Sequence, residues 1–188
     1  MIESSLFESI FSRALNYERY LATDPSRADG WTTVYARTAL SPMQRDEIAG
    51  FSRRMQVLVV SGMWCGDCVQ QCPMLVRIAE ASPQIDLRWI DRDVEAEFTS
   101  ALTLCGGGRV PVVVFASEDN TVCSIFGDRT LSRYRGLARR QLGAGCELPW
   151  APIPVDESAE VLQEWLNEFE RVQWMLRLST RLRQKHGD

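Results

Sequence analysis

Apolar residues near the start of the chain recur three and four apart. Leu6, Phe7, Ile10, Phe11, Ala14, Leu15 and Leu21 fall on one face of a helix predicted over 5–22. Ser5 and Glu8 have capping-box spacing, and Asp24-Pro25 and Asp29-Gly30 supply the turn chemistry that follows. The pattern over 31–40 is ambiguous. Ser41-Pro42 opens a second helix, with Ser41 as N-cap, Pro42 in the first turn and Gln44 closing the box. Ile48 and Phe51 are its inward positions.

The pattern then changes period. Gln56–Val60 is a nearly continuous β-branched run, as expected of a central strand buried on both faces. A helix follows over Cys68–Ala81, with Pro73 inside it to remove a ladder bond and bend it, and Ser82-Pro83 to stop it. Ile85–Ile90 alternates like a half-wet strand. A short helix is expected over Glu95–Leu104, a glycine loop at 106–108 and a second buried strand over Pro111–Phe115. Glu118-Asp119-Asn120 turns the chain so that Val122–Phe126 returns antiparallel. Thr130–Arg140 reads as a helix whose Arg133, Arg135, Arg139 and Arg140 form a solvated face. A proline-containing loop spans 143–154, and Asp156 caps a long helix to about Arg183, with Leu162, Trp165, Leu166, Phe169, Val172 and Leu176 as its apolar stripe. The element order predicts an α/β protein: a four-stranded mixed sheet flanked by helices. It divides the chain into an N-terminal helical extension packed on the core (1–54), the core (55–142), and a loop with a long C-terminal helix (143–188).

Composition narrows the picture slightly. The 188 residues are 45% hydrophobic and 24% charged, enough for a sizeable core. The net charge of −4 points away from nucleic acid or an anionic membrane as the main partner. Glu3 and Glu8 interrupt any secretory apolar region, and no stretch has the length of a membrane span. With six cysteines and no leader, the expected location is cytoplasmic, with the thiols mostly reduced.

The candidate chemistry lies at Ser61-Gly62-Met63-Trp64-Cys65-Gly66-Asp67-Cys68, a strand-to-helix junction. Cys65 is expected at a helix N-terminus, where free backbone N–H groups favour a thiolate, with Cys68 one turn in and near enough to close a disulfide. The C-x-x-C spacing by itself also serves zinc. Cys72 shares a helical face with Cys68, as a third redox thiol, a metal ligand or a packed core residue. No fourth ligand stands at a usual spacing, so no metal is expected. His186 is the sole histidine and lies in a tail expected to fray, which argues against a Cys–His nucleophile. Gly106-Gly107-Gly108 lacks the Lys-Ser/Thr of a phosphate loop and reads as a turn. Cys105, Cys123 and Cys146 are dispersed and are expected to serve packing.

Trp64-Cys65-Gly66-Asp67-Cys68 resembles the active site of the thioredoxin superfamily, most often Trp-Cys-Gly-Pro-Cys. Pro73, five residues after Cys68, matches the family's helix proline. Arg109-Val110-Pro111-Val112 matches its cis-proline loop, and Gly127, sixteen residues beyond Pro111, matches a glycine in its last strand. The likeness covers roughly 55–130. It implies a thioredoxin-like fold with helical extensions at both ends, and no cofactor. It implies that Cys65 attacks a substrate disulfide and Cys68 resolves the mixed disulfide, leaving a Cys65–Cys68 disulfide. Pro111 would lie opposite the dithiol, Val110 would bond a substrate strand through its backbone, and Trp64 and Gly66 would contact substrate. Two positions depart from the family pattern. Asp67 stands where proline is usual, either repelling a Cys65 thiolate or accepting the Cys68 proton. Val59 stands where thioredoxins keep a buried aspartate. The implied activity is thiol–disulfide exchange with disulfide-containing protein substrates, in the reducing direction, with a reductase or low-molecular-weight thiol as electron donor. The alternative is a thioredoxin-fold interaction module with little redox turnover. A thiol peroxidase ranks below both.

Overall fold

In the computed structural model, residues 2–142 and 155–188 are described. The predicted loop at 143–154, with Cys146, lies outside them. Four strands form one mixed sheet in the order β2-β1-β3-β4. They are β1 (Met55–Ser61), β2 (Ile85–Asp91), β3 (Val112–Ser117) and β4 (Val122–Gly127). β1 pairs parallel with β2 and antiparallel with β3, and β3 pairs antiparallel with β4. Val57, Leu58, Val59 and Val60 are all buried, so the unbroken apolar run does mark a strand covered on both faces. Asn120, in the left-handed region at φ 64°, helps turn β3 into β4.

Nine α-helices surround this sheet among the described residues. α5 (Gly66–Glu80) runs out of β1, and α8 (Glu157–Leu178) crosses β3 and β4. The α8 residues Phe169 and Trp165 meet Phe115 and Phe126 edge-on, at 5.1 and 5.0 Å between ring centroids. The remaining core helices are α6 (Ala96–Ser100), half its predicted length, and α7 (Leu131–Leu142).

The ends of the chain correct several expectations. The helix predicted over 5–22 is two helices, α1 (Ser4–Arg13) and α2 (Tyr17–Leu21). Between them Leu15 exchanges two backbone hydrogen bonds of 2.8 Å with Trp89, pairing one residue onto the open edge of β2. An exposed strand edge offers unpaired backbone groups, and here that demand outweighs helical continuity. Asn16 then caps α2. The Ser5/Glu8 box does not form, because α1 starts one residue earlier from Glu3. The ambiguous stretch is helical as far as Arg37: α3 (Ala28–Arg37) lies against α5 and takes in Asp29-Gly30, which the sequence pattern reads as a turn. α4 (Pro42–Ala49) has the predicted Ser41/Gln44 box. The predicted C-terminal helix divides at Ser179, whose side chain caps α9 (Thr180–His186). His186 is therefore in an ordered last turn, 3.0 Å from Glu118, rather than in a frayed tail.

Candidate active site

β1 ends at Ser61, and four residues later Cys65 is the N-cap of α5. The helix thus begins two residues before the predicted start. The intervening turn is closed by the Cys65 N–H donating to Gly62 O at 3.0 Å. A Cβ on Gly62 would lie 2.7 Å from the Trp64 indole, so only glycine lets that ring fold back over the turn. Trp64 is 45% exposed, and the Arg92 guanidinium covers its ring at 4.6 Å. Arg92 also donates to Gly108 O at 2.8 Å, joining the dithiol turn to the loop before Pro111. That loop is a tight turn. Cys105 and Gly106 have positive φ between Leu104 and Gly107, which bond each other's backbones.

The Val110–Pro111 peptide is cis, and the Cys65 Sγ lies 3.5 Å from Val110 O. The dithiol and the proline loop, separated by some forty-five residues, therefore face each other. Gly127 backs this loop. A Cβ there would fall 2.4 Å from Pro111 O, which leaves room for no other residue. Cys65 is half-buried, and Gly66 has open space around it. Cys68 and Cys72 are fully buried. All five described cysteines are free thiols, and among the described residues no group of three His, Cys, Asp or Glu is placed to hold a metal.

The electrostatics differ from the expectation of an activated thiolate. The adjoining Cys68 thiol, and then burial, push the Cys65 thiol above its ordinary range. The Cys68 and Asp67 backbone N–H groups at the helix start pull the other way, as expected of a helix N-terminus, but are outweighed. Burial first, with Cys72 adding to it, also pushes Cys68 well up, against the favourable Gly62 backbone N–H and Cys65.

Asp67 is also placed differently from the proton acceptor considered above. Arg129 Nε and Nη2 lie 2.8 and 2.6 Å from its Oδ2, and Arg133 Nε donates to its Oδ1 at 3.0 Å. Both carboxylate oxygens are committed to guanidinium groups, and the side chain is only 14% exposed. Arg133 continues to Glu157 at 2.8 Å, and Arg129 reaches Asp128 at 3.2 Å. Asp128 receives Arg109 and the Tyr134 hydroxyl as well. Burial opposes ionisation of Asp128, but Tyr134 and the arginines prevail and hold its carboxyl below the usual carboxylate range. Gln71 ties the same corner to α5, donating to Asp128 O at 3.1 Å and accepting from the Thr130 N–H at 3.3 Å.

Sequence reasoning missed Arg92, Asp128, Arg129 and Gln71. It also read Arg133 as a solvated cation, although Asp67 lacked an obvious partner and Arg133 lay one turn into a nearby helix. That mismatch was the only signal available.

A family model described as Thioredoxin matches residues 14–132. Two solved structures share the fold. A protein of unknown function from Pseudomonas aeruginosa superposes with a TM-score of 0.62 at 18% identity, covering 89% of this chain and 99% of that one. An HIV epitope-scaffold superposes with a TM-score of 0.62 at 17% identity, covering 85% and 96% of the two chains. No curated protein matches.

Proposed function

The chain belongs to the thioredoxin family, and from that premise we propose that it is a thiol–disulfide oxidoreductase working through Cys65 and Cys68. The observation that carries this reading is the Cys65 thiol, half-exposed at the N-cap of α5 and 3.5 Å from the carbonyl preceding cis-Pro111. A substrate strand bonding Val110 and flanked by Trp64 and Gly66 would bring its disulfide to that sulfur.

The Cys65 thiolate attacks one sulfur of the substrate disulfide. A Cys65–substrate bond forms, the substrate S–S bond breaks, and the departing thiolate takes a proton. Cys68 then loses its proton and attacks Cys65 Sγ, forming the Cys65–Cys68 disulfide and releasing the second substrate thiol. Two electrons and two protons pass from the dithiol to the substrate. A reductase or a low-molecular-weight thiol restores the dithiol, and the chemistry suits a reducing compartment such as the cytoplasm. A Cys65 thiol held above its ordinary range supports the reducing direction, because the reduced form gains nothing from a stable thiolate that would make the couple oxidising.

Equilibration against defined thiol buffers, with Cys65→Ser as control, tests the proposal. A potential near about −270 mV is expected, the region of cytosolic reductants. A couple that does not titrate would leave an interaction module docking partners at the Val110–Pro111 loop. The burial of Cys68 without a nearby partner carboxylate at position 59 favours that second reading.

A further inference from the structure

The aromatic cluster beside β2 carries four polar groups, and two of them are left over. Ser61 Oγ donates to the Tyr20 hydroxyl at 2.8 Å, and Trp31 Nε1 donates to the Met63 carbonyl at 3.4 Å. The Tyr17 hydroxyl and Trp89 Nε1 are also sealed from solvent, but neither has a hydrogen-bond partner among the described residues. Their rings tilt against each other with centroids 5.3 Å apart, and Trp89 is 1% exposed. A buried donor without a partner carries its full desolvation penalty, and two in one place are uncommon. Both residues line one cleft of about 420 Å³ between β2 and the second half of α5. Val76, Ala79, Pro83 and Leu87 give it an apolar wall. Val76 stands about three turns along α5 from Cys65, so the cleft is separate from the dithiol.

The charges at the mouth are already matched. Arg54 pairs with Asp86 at 3.1 Å, and Glu80 accepts from the Tyr35 hydroxyl at 2.5 Å and lies 3.2 Å from Arg77. A charged ligand would have to compete with one of these pairs. Beneath the mouth, an indole N–H can only donate. Burial first, with Cys72, Tyr35 and Glu80 adding to it, pushes the Tyr17 hydroxyl above its ordinary range, so it stays protonated and able to donate. The group that satisfies both is an acceptor, and a carbonyl oxygen has two lone pairs for two donors.

We propose that this cleft binds a small neutral carbonyl compound, its apolar body against the α5 wall and its oxygen accepting from the Tyr17 hydroxyl and Trp89 Nε1. The Tyr17 ring turns toward the mouth as the carbonyl enters and uncovers the indole N–H. That movement breaks no hydrogen bond, because neither group makes one. Binding pairs both orphaned donors and removes apolar area from water. The inference uses none of the dithiol chemistry and stands apart from the oxidoreductase reading.

The probes are 1-indanone, indane and indane-1-carboxylate, which share a ring system and differ in the acceptor. None of them reacts with thiols, so the free cysteines do not interfere. Binding to the full-length chain is followed by two-dimensional proton–nitrogen NMR at the assigned Trp89 indole N–H. 1-Indanone is expected to move that resonance downfield in a saturable titration. It is expected to bind about fivefold more tightly than indane, the order of a buried hydrogen bond gained, and more tightly than the carboxylate. In Tyr17→Phe, 1-indanone is expected to lose about fivefold in affinity while indane keeps its own. The same variant is expected to unfold at an unchanged or higher denaturant concentration, since it removes an unpaired hydroxyl and leaves the ring. A Trp89 N–H unmoved by 1-indanone up to its solubility overturns the proposal. Equal affinity for the ketone and indane, tighter binding of the carboxylate, or unchanged ketone affinity in Tyr17→Phe does so too. A Tyr17→Phe chain that unfolds at lower denaturant also overturns it, because the hydroxyl then has a partner in the free protein.

Discussion

The dithiol stands between two supports of opposite character. On the side of the N-terminal helices the contacts are aromatic and dry. Tyr17, Tyr20, Trp31 and Trp89 form a tilted cluster with centroids 5.3 to 6.5 Å apart, and two hydrogen bonds reach from it to the turn. On the side of α7 and α8 the contacts are charged, in a chain from Glu157 through Arg133, Asp67 and Arg129 to Asp128. The dry side draws its strength from removed area and holds its position at any salt or pH at which the fold survives. The charged side is directional, fixing α5 to α7 and α8, and it depends on the protonation of three carboxylates. One residue thus separates a turn set by packing from a helix start set by ion pairs.

The largest effect is expected on the dry side. Trp31→Ala empties a fully buried site at the centre of the aromatic cluster and is expected to cost about 3–5 kcal/mol of stability. Chemical denaturation checks this. A loss below about 1 kcal/mol would mean that α2 and α3 do not support the turn as argued.

A smaller effect is expected on the charged side. Asp67→Asn keeps the shape but removes the charge that two guanidinium groups share, each only 17–25% exposed. A loss of about 1–3 kcal/mol follows from breaking charge-assisted bonds at a partly wet site. The same variant leaves Arg129 and Arg133 uncompensated beside the helix start. The Cys65 thiol is therefore expected to titrate lower than in the parent, read from the pH dependence of alkylation by iodoacetamide. If Asp67 acted instead as the acceptor of the Cys68 proton, the resolving step would lose its pH dependence while Cys65 titrated as before.

The two supports were unequally legible in the sequence. The strands and α5 could be read because β-branched runs and turn residues act locally, and the dithiol and the proline loop because their spacing is distinctive. The partners of Asp67 could not be read. Arg129 and Arg133 lie more than sixty residues away, and a charge on a helix looks the same whether it faces water or a buried carboxylate. Tyr20 and Trp31 were not legible as anchors of the turn, since the Tyr20–Ser61 bond joins residues forty-one apart and Trp31 opens a stretch whose pattern is ambiguous. The break at Leu15 was hidden for a similar reason, because the edge of β2 that it pairs is distant in sequence. The thiolate expected at Cys65 failed on magnitude. The helix N-terminus acts in the expected direction, but the neighbouring thiol and burial act more strongly.

The smallest effect expected is in acid, and it separates the supports without mutation. Asp128 and Glu157 both have carboxyl groups held below the usual carboxylate range. Burial opposes this in each, and is outweighed by Tyr134 and the arginines at Asp128, and by Arg140 and Arg133 at Glu157. A depressed native value means that the unfolded chain binds protons first. The stability these groups contribute is therefore complete above about pH 4, the ordinary carboxylate value, and falls as the pH drops through their native values. The aromatic cluster itself has no group that titrates in that window; the Arg13–Glu95 pair at α1 does, with the Glu95 carboxyl held low by Arg13, but it lies outside the cluster. Fluorescence of the buried tryptophans Trp31 and Trp89 would thus hold while the charged corner loosens, and protease cleavage or amide exchange at α7 would rise first. Glu157→Gln would abolish part of the acid dependence and leave the tryptophan signal unmoved. If both sides loosened together at every pH, the charged network would be part of the same cooperative unit as the aromatic cluster, and the turn and the helix start could not be separated as argued.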